Sequence, residues 1–154
     1  MAANHFVFMR SIRLRFADLI KSQTIEGLNK IPSGFRNNLA WNLGHIVVST
    51  DLLCYCRTGV EPAKEIPQME LYRNGTIPEK WISQEEVNEL LLRLSTTIDS
   101  LEQDYLAGKF SRIVPVTTAT FGVETLTIEE LLENCALHDC LHWGTVVAMQ
   151  KLIN

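Results

Sequence analysis

T127-I-E-E-L-L-E-N-C-A-L-H-D-C-L-H-W-G-T-V-V-A-M-Q-K-L-I-N154 is the stretch whose reading decides the fold. Thr127 and Glu130 form the T-x-x-E pattern of a capping box, in which a hydroxyl and a carboxylate satisfy the free amides at a helix start. No proline follows, so the segment reads as one helix running to the C-terminus. Counting about 100° per residue, Leu131, Cys135, His138, His142, Thr145 and Met149 share a stripe, while Cys140 and Gly144 fall on other faces. A long helix with such a stripe must be covered by other helices. His138 and His142 differ by about 40° around the axis and lie about 6 Å apart along it, so both imidazoles can reach one ion.

Three further segments carry helical periodicity. The first, from about Ala3 to Lys21, aligns Phe6, Met9, Ile12 or Arg13, Phe16 and Ile20. Within it, the arginines of R10-S-I-R-L-R15 alternate with apolar residues and read as a solvated flank. A short turn around Ile25–Asn29 precedes a stop at Ile31-Pro32-Ser33-Gly34. The second helix runs from about Asn37 to Arg57, ending before Gly59.

Pro62, Pro67, Asn74-Gly75 and Pro78 make residues 58–82 an irregular surface crossover rather than a second domain. Ser83-Gln84-Glu85-Glu86 is another capping box, and the third helix continues through Val87, Leu90, Leu91, Leu94, Ile98 and Leu101 to about Tyr105. Residues 108–123 mix Val, Thr and Ile with turn residues, as a short hairpin or an extended loop would. Four helices and one long crossover predict an all-α four-helix bundle occupying residues 1–154 as a single domain.

Hydrophobic residues make up 46% of the 154 and charged residues 21%, which fits a globular chain with a substantial core. The net charge of −4 argues against nucleic-acid binding by backbone neutralisation. No apolar run is long enough to cross a bilayer and the N-terminus lacks a secretory signal, so no membrane partner and a cytoplasmic location are expected. The four cysteines, Cys54, Cys56, Cys135 and Cys140, lack zinc-knuckle spacing and read as small apolar core residues.

Two histidines cannot hold a first-row metal tightly, so a third ligand must come from elsewhere. His45 is the candidate, in N37-N-L-A-W-N-L-G-H-I-V-V-S49, on a face with Asn38, Trp41, Asn42, Ser49, Leu52 and Cys56. Gly44 beside it would let a neighbouring helix approach closely. His5 lies near the terminus and is not read as a ligand. His138-Asp139-Cys140-Leu141-His142 also approaches the H-E-x-x-H pattern of zinc peptidases. Aspartate is one methylene short, however, and no His, Asp or Glu follows His142 to complete a downstream set. Asp139 is therefore read as solvated or as a supporting group.

W41-N-L-G-H45 followed by H138-D-x-x-H142-x-G144 resembles the DinB/YfiT-like family of bacterial metalloenzymes. The likeness extends over nearly the whole chain, including the Pro32 turn, the loop Tyr72-Arg73-Asn74-Gly75-Thr76-Ile77-Pro78 and the T-x-x-E start of the last helix. It implies a four-helix bundle, usually a homodimer, that binds a divalent metal such as nickel, zinc or iron. Carried over residue by residue, the ligands would be His45, His138 and His142. One departure is Asp139, where many relatives have glutamate. Characterised relatives include S-transferases and isomerases that use a low-molecular-weight thiol, and others are grouped with hydrolases.

The implied activity is thus a metal-dependent transfer or hydrolysis on a small-molecule substrate, with a thiol or water activated at open coordination positions. Asn38, Asn42, Ser49 and Thr145 could orient substrate or bond the ligands' second nitrogens. Arg36, Arg73 and Arg112 could meet a substrate carboxylate, or simply face solvent. The rival reading is a non-catalytic metal-binding or stress-response bundle, with Cys135 or Cys56 closing the coordination shell.

Overall fold

Helix starts fall where the sequence provides caps. The computed structural model describes residues 2–153. The Asn38 side chain accepts from the Trp41 amide at 2.8 Å, and α3 accordingly opens at Leu39 (α3, Leu39–Asp51). Ser83 and Glu86 exchange both bonds of their capping box at the head of α5 (Gln84–Leu106). Thr127 and Glu130 do the same for α6 (Ile128–Ile153). With α1 (Ala2–Lys21) these are the four long helices, and among the described residues the remaining helices, α2 (Ile25–Asn29) and α4 (Met69–Tyr72), are short.

Side-chain pairings fix the directions. Arg10 pairs with Asp99 and Glu102, and Arg13 reaches Leu94 and Thr97, so α1 and α5 are antiparallel. Arg13 also meets Asp139 and Phe16 meets Trp143, so α1 and α6 run parallel. Asn42 faces His142, His45 faces His138 and Cys54 faces Cys135, which sets α3 antiparallel to α6. The order is up-down-down-up. Because α3 and α5 point the same way, the chain must return along the bundle between them, and residues 58–82 do so.

That crossover is more ordered than its prolines suggest. It contains α4, entered through Gln68 in the left-handed region at φ 62°. Arg93 of α5 donates to the Pro67 carbonyl at 3.2 Å and holds this bend to the bundle. In the following connection, Val116–Thr117 (β1) and Glu124–Thr125 (β2) pair antiparallel, a hairpin of minimal length.

Two differences from the sequence reading have clear causes. First, α3 passes into a π-helical segment, Leu52–Arg57. Across this wider turn Cys54 and Tyr55 are fully buried in the far core, while Leu52 and Cys56, counted onto the His45 face, are half-buried against the core that contains Trp41. Second, Arg13 is not on a solvated flank but is 3% exposed. All five of its N–H donors find acceptors: Asp139 Oδ2 at 2.7 Å, the Leu94 and Ile46 carbonyls, and the Thr97 and Thr50 hydroxyls. The guanidinium thereby ties α1, α3, α5 and α6 together.

This polar layer divides the apolar interior. On one side lie Phe16, Ile20, Leu39, Leu43, Ile46, Leu90, Val146 and Met149; on the other, Phe6, Met9, Cys54, Tyr55, Ile98, Leu101, Leu131 and Cys135. No described helix is long and apolar enough to cross a membrane.

Candidate metal centre

His45 is centred in α3, where every residue from Leu39 to Asp51 is buried. His138 and His142 lie one turn apart on α6, and the antiparallel packing of the two helices brings all three rings together. Ring centroids are 4.5 Å apart for His138 and His142, 4.7 Å for His45 and His142, and 5.2 Å for His45 and His138. One nitrogen from each lies within 4.8 Å of the other two. His45 and His138 are buried, whereas His142 is partly exposed and marks the open side.

Hydrogen bonds orient two of the rings. His45 Nδ1 lies 2.7 Å from the Tyr72 carbonyl oxygen, which can only accept, so the ring carries its proton on Nδ1 and presents Nε2 bare. His142 Nδ1 lies 2.7 Å from Asn42 Oδ1. The Asn42 amide is itself fixed, because its Nδ2 donates to the Asn38 carbonyl at 2.8 Å. Trp41 stacks on the His45 ring at 4.6 Å and 12°, and its Nε1 donates to Thr76 Oγ1 at 3.0 Å. Ser49 Oγ stands 3.3 Å from His45 Nε2.

The donor set fits a divalent ion. The Nε2 atoms of His45 and His138 are 3.3 Å apart. Two imidazole nitrogens each about 2.05 Å from one tetrahedral ion stand roughly 3.3 Å apart. Two bare lone pairs at that separation repel, so either a proton or a cation belongs between them. Burial, the largest cause, lowers all three imidazole pKa values. His138 falls to about 3, with His142 and His45 adding to the effect, and His142 falls to about 4. His45 is lowered despite its bond to Tyr72. At neutral pH the rings are uncharged, the state that ligation requires.

The three predicted histidines therefore converge, and Asn42 and Ser49 stand beside them. Asn38 acts one step removed, capping α3 and accepting from Asn42. Thr145 takes no part, since its hydroxyl donates to the Leu141 carbonyl of its own helix. Asp139 is neither solvated nor a peptidase base: it is 1% exposed and paired with Arg13, about 100° around the helix from His138. Among the described residues no cysteine joins the group. Cys135 instead faces Cys54 at 3.9 Å, Cys56 faces the Lys64 carbonyl, and Cys140 is exposed, contrary to its reading as a core residue. Arg36, Arg73 and Arg112 are exposed, and Arg73 pairs with Glu70.

Sequence reasoning missed Tyr72. Its contribution is a main-chain oxygen, which no side-chain pattern reveals, although Gly44 was a partial signal of close approach. What approaches is the Tyr72 ring of α4, not a long helix.

No curated protein matches the sequence. A family model does: that of the DinB superfamily matches residues 10–146. The chain, with its helical fold and clustered histidines, belongs to the DinB superfamily.

Proposed function

We propose that the protein is a metal-dependent enzyme that holds a divalent cation (nickel, zinc or iron) on His45, His138 and His142 and turns over a small molecule by thiol S-transfer or hydrolysis. The observation that carries this reading is the convergence of three neutral imidazoles, two of them already oriented by partners on Nδ1. When bound, such a cation lowers the pKa of a thiol or water beside it and supplies a nucleophile at neutral pH.

The chain's own groups have definable parts. Tyr72 and Asn42 keep the protons of His45 and His142 on Nδ1, leaving Nε2 free. Partial exposure of His142 leaves access from one side, and Ser49 offers a hydroxyl that can hydrogen-bond a group entering there. Transfer and hydrolysis differ only in which nucleophile, a low-molecular-weight thiol or water, occupies that side. A homodimer in the cytoplasm completes the reading. Phe8 and Leu14 of α1 and Leu92 of α5, each 64% exposed, are suited to such an interface.

The test is metal analysis of protein made without a histidine tag, together with melting curves in added Zn²⁺ or Ni²⁺. The expectation is near-stoichiometric metal, a raised melting point, and loss of both in His142→Ala. Absence of metal with no thermal shift would overturn the reading. A panel of small thiols, screened as stabilisers of the loaded protein, then identifies the co-substrate, because a ligand that binds only the folded state raises its melting point.

A further inference from the structure

We infer that the crossover between α3 and α5 is a positioning device for the histidine site, with Tyr72 setting the tautomer and tilt of His45 and Gly44 serving as the socket that admits Tyr72. This inference rests on the metal-binding reading, since it names what prepares His45 as a ligand.

The loop reaches His45 directly through Tyr72 and indirectly through Trp41 of α3. The Tyr72 carbonyl accepts from Nδ1 at 2.7 Å. Neutral imidazole in water favours the opposite tautomer, with the proton on Nε2, and that proton would occupy the nitrogen the site needs. An acceptor-only partner on Nδ1 removes the obstacle before any cation arrives. Trp41 covers one face of the ring and is tethered through Nε1 to Thr76. Thr76 in turn donates to the carbonyls of Leu71 and Arg73, the residues on either side of Tyr72. Edge and face of the His45 ring are therefore both referenced to residues 71–76.

Gly44 makes this approach possible. A Cβ built there would lie 2.5 Å from both Cγ and Cδ1 of Tyr72, well inside any real contact. The ring has little room to yield, being 6% exposed within the core that also contains Ile66 and Ile82. Nor is the loop free to slide, because Arg93 holds the Pro67 carbonyl at its entry. Alanine is intrinsically the better helix former. A substitution that helps the helix in isolation should therefore harm the site, and the opposed signs make the inference testable.

The experiment measures zinc affinity by competition with a chromophoric chelator. It also reads the His45 tautomer in zinc-free protein from the ¹⁵N signals of its ring. Gly44→Ala should weaken zinc binding at least ten-fold and move His45 from the Nδ1–H form toward a mixture. In a Tyr72→Ala background, the further loss caused by Gly44→Ala should shrink, because the clash has been removed. Thr76→Val cuts the tether without adding bulk at Gly44 and should shift the tautomer in the same direction; it decides the matter should Gly44→Ala not fold.

An unchanged affinity in Gly44→Ala, or an unchanged Nδ1–H tautomer in both Gly44→Ala and Thr76→Val, overturns the inference. Failure of the wild type to bind zinc counts against the metal reading alone, because the tautomer measurement needs no metal.

Discussion

His138 and Asp139 are consecutive residues on one helix, both buried, yet they belong to polar clusters of opposite kind. Asp139 meets Arg13 in a closed arrangement: every guanidinium donor is satisfied by the protein, and four helices supply the partners. His138 meets His45 and His142 in an open one, where rings of the same kind face each other and none can neutralise its neighbours. In the first, only Asp139 Oδ1 is left without a partner. The second brings three imidazole nitrogens within reach of one cation. A step of about 100° around α6 thus separates the group that ties the bundle from the group that could hold a metal ion, and burial alone cannot tell the two apart.

The comparison is broken most forcefully at Arg13. Arg13→Ala leaves the Asp139 carboxylate buried without its partner, and Asp139 Oδ1 already lacks one. A loss of about 3–5 kcal/mol in urea unfolding is expected. Replacing both residues together, as Arg13→Met with Asp139→Leu, should restore most of that stability. If the two clusters are independent, zinc affinity in the double variant stays within a few-fold of wild type.

Acid should act on the open cluster next. In the metal-free protein His138 and His142 titrate near 3 and 4, whereas in the unfolded chain they titrate near 6.5. Below pH 6.5 the unfolded state binds more protons, so stability is full above that pH and falls as pH drops toward 4. The loss is about 1.4 kcal/mol per histidine for each pH step below 6.5. Asp139 works against this trend, because burial, opposed by Arg13, raises its folded pKa and proton binding favours the folded state there. Urea midpoints between pH 7.5 and 4.5 should therefore be compared with those of His138→Gln, in which the slope flattens.

Smaller effects sharpen the contrast. Asn42→Ala removes the acceptor on His142 Nδ1 and should cost roughly ten-fold in zinc affinity, about 1.4 kcal/mol, by chelator competition. Cys140→Ser, on the solvent face of the same helix, should change stability by no more than about 0.5 kcal/mol and leave metal binding unaltered. A larger change would mean that the exposed face of α6 is covered in solution.

These neighbours also show what a sequence reveals. Angular counting aligned His138 with His142 and put His45 on a core face, because α3 and α6 are regular helices there and capping residues fix where they begin. That the three meet was implied by the family resemblance. Counting did not foresee the π-helical segment at Leu52–Arg57, since it assumes 3.6 residues per turn. Arg13 went unrecognised because its partner is 126 residues away and alternation with apolar residues looks the same for a wet flank as for a threaded core. Asp139 was unreadable for the same reason. Tyr72 was hidden more deeply, because every residue has a carbonyl and only the path of the crossover selects this one.

The wide turn at Leu52–Arg57 gives one continuous rod two phases. Upstream of it the rod addresses His138 and His142 through His45; downstream, Cys54 reaches Cys135 and Tyr55 donates to Asp104 at 2.8 Å. Gain or loss of a single residue in that turn would swing the lower portion by roughly 100° while the portion above kept its aim. The far core would then have to repack, but the histidines would not be re-aimed.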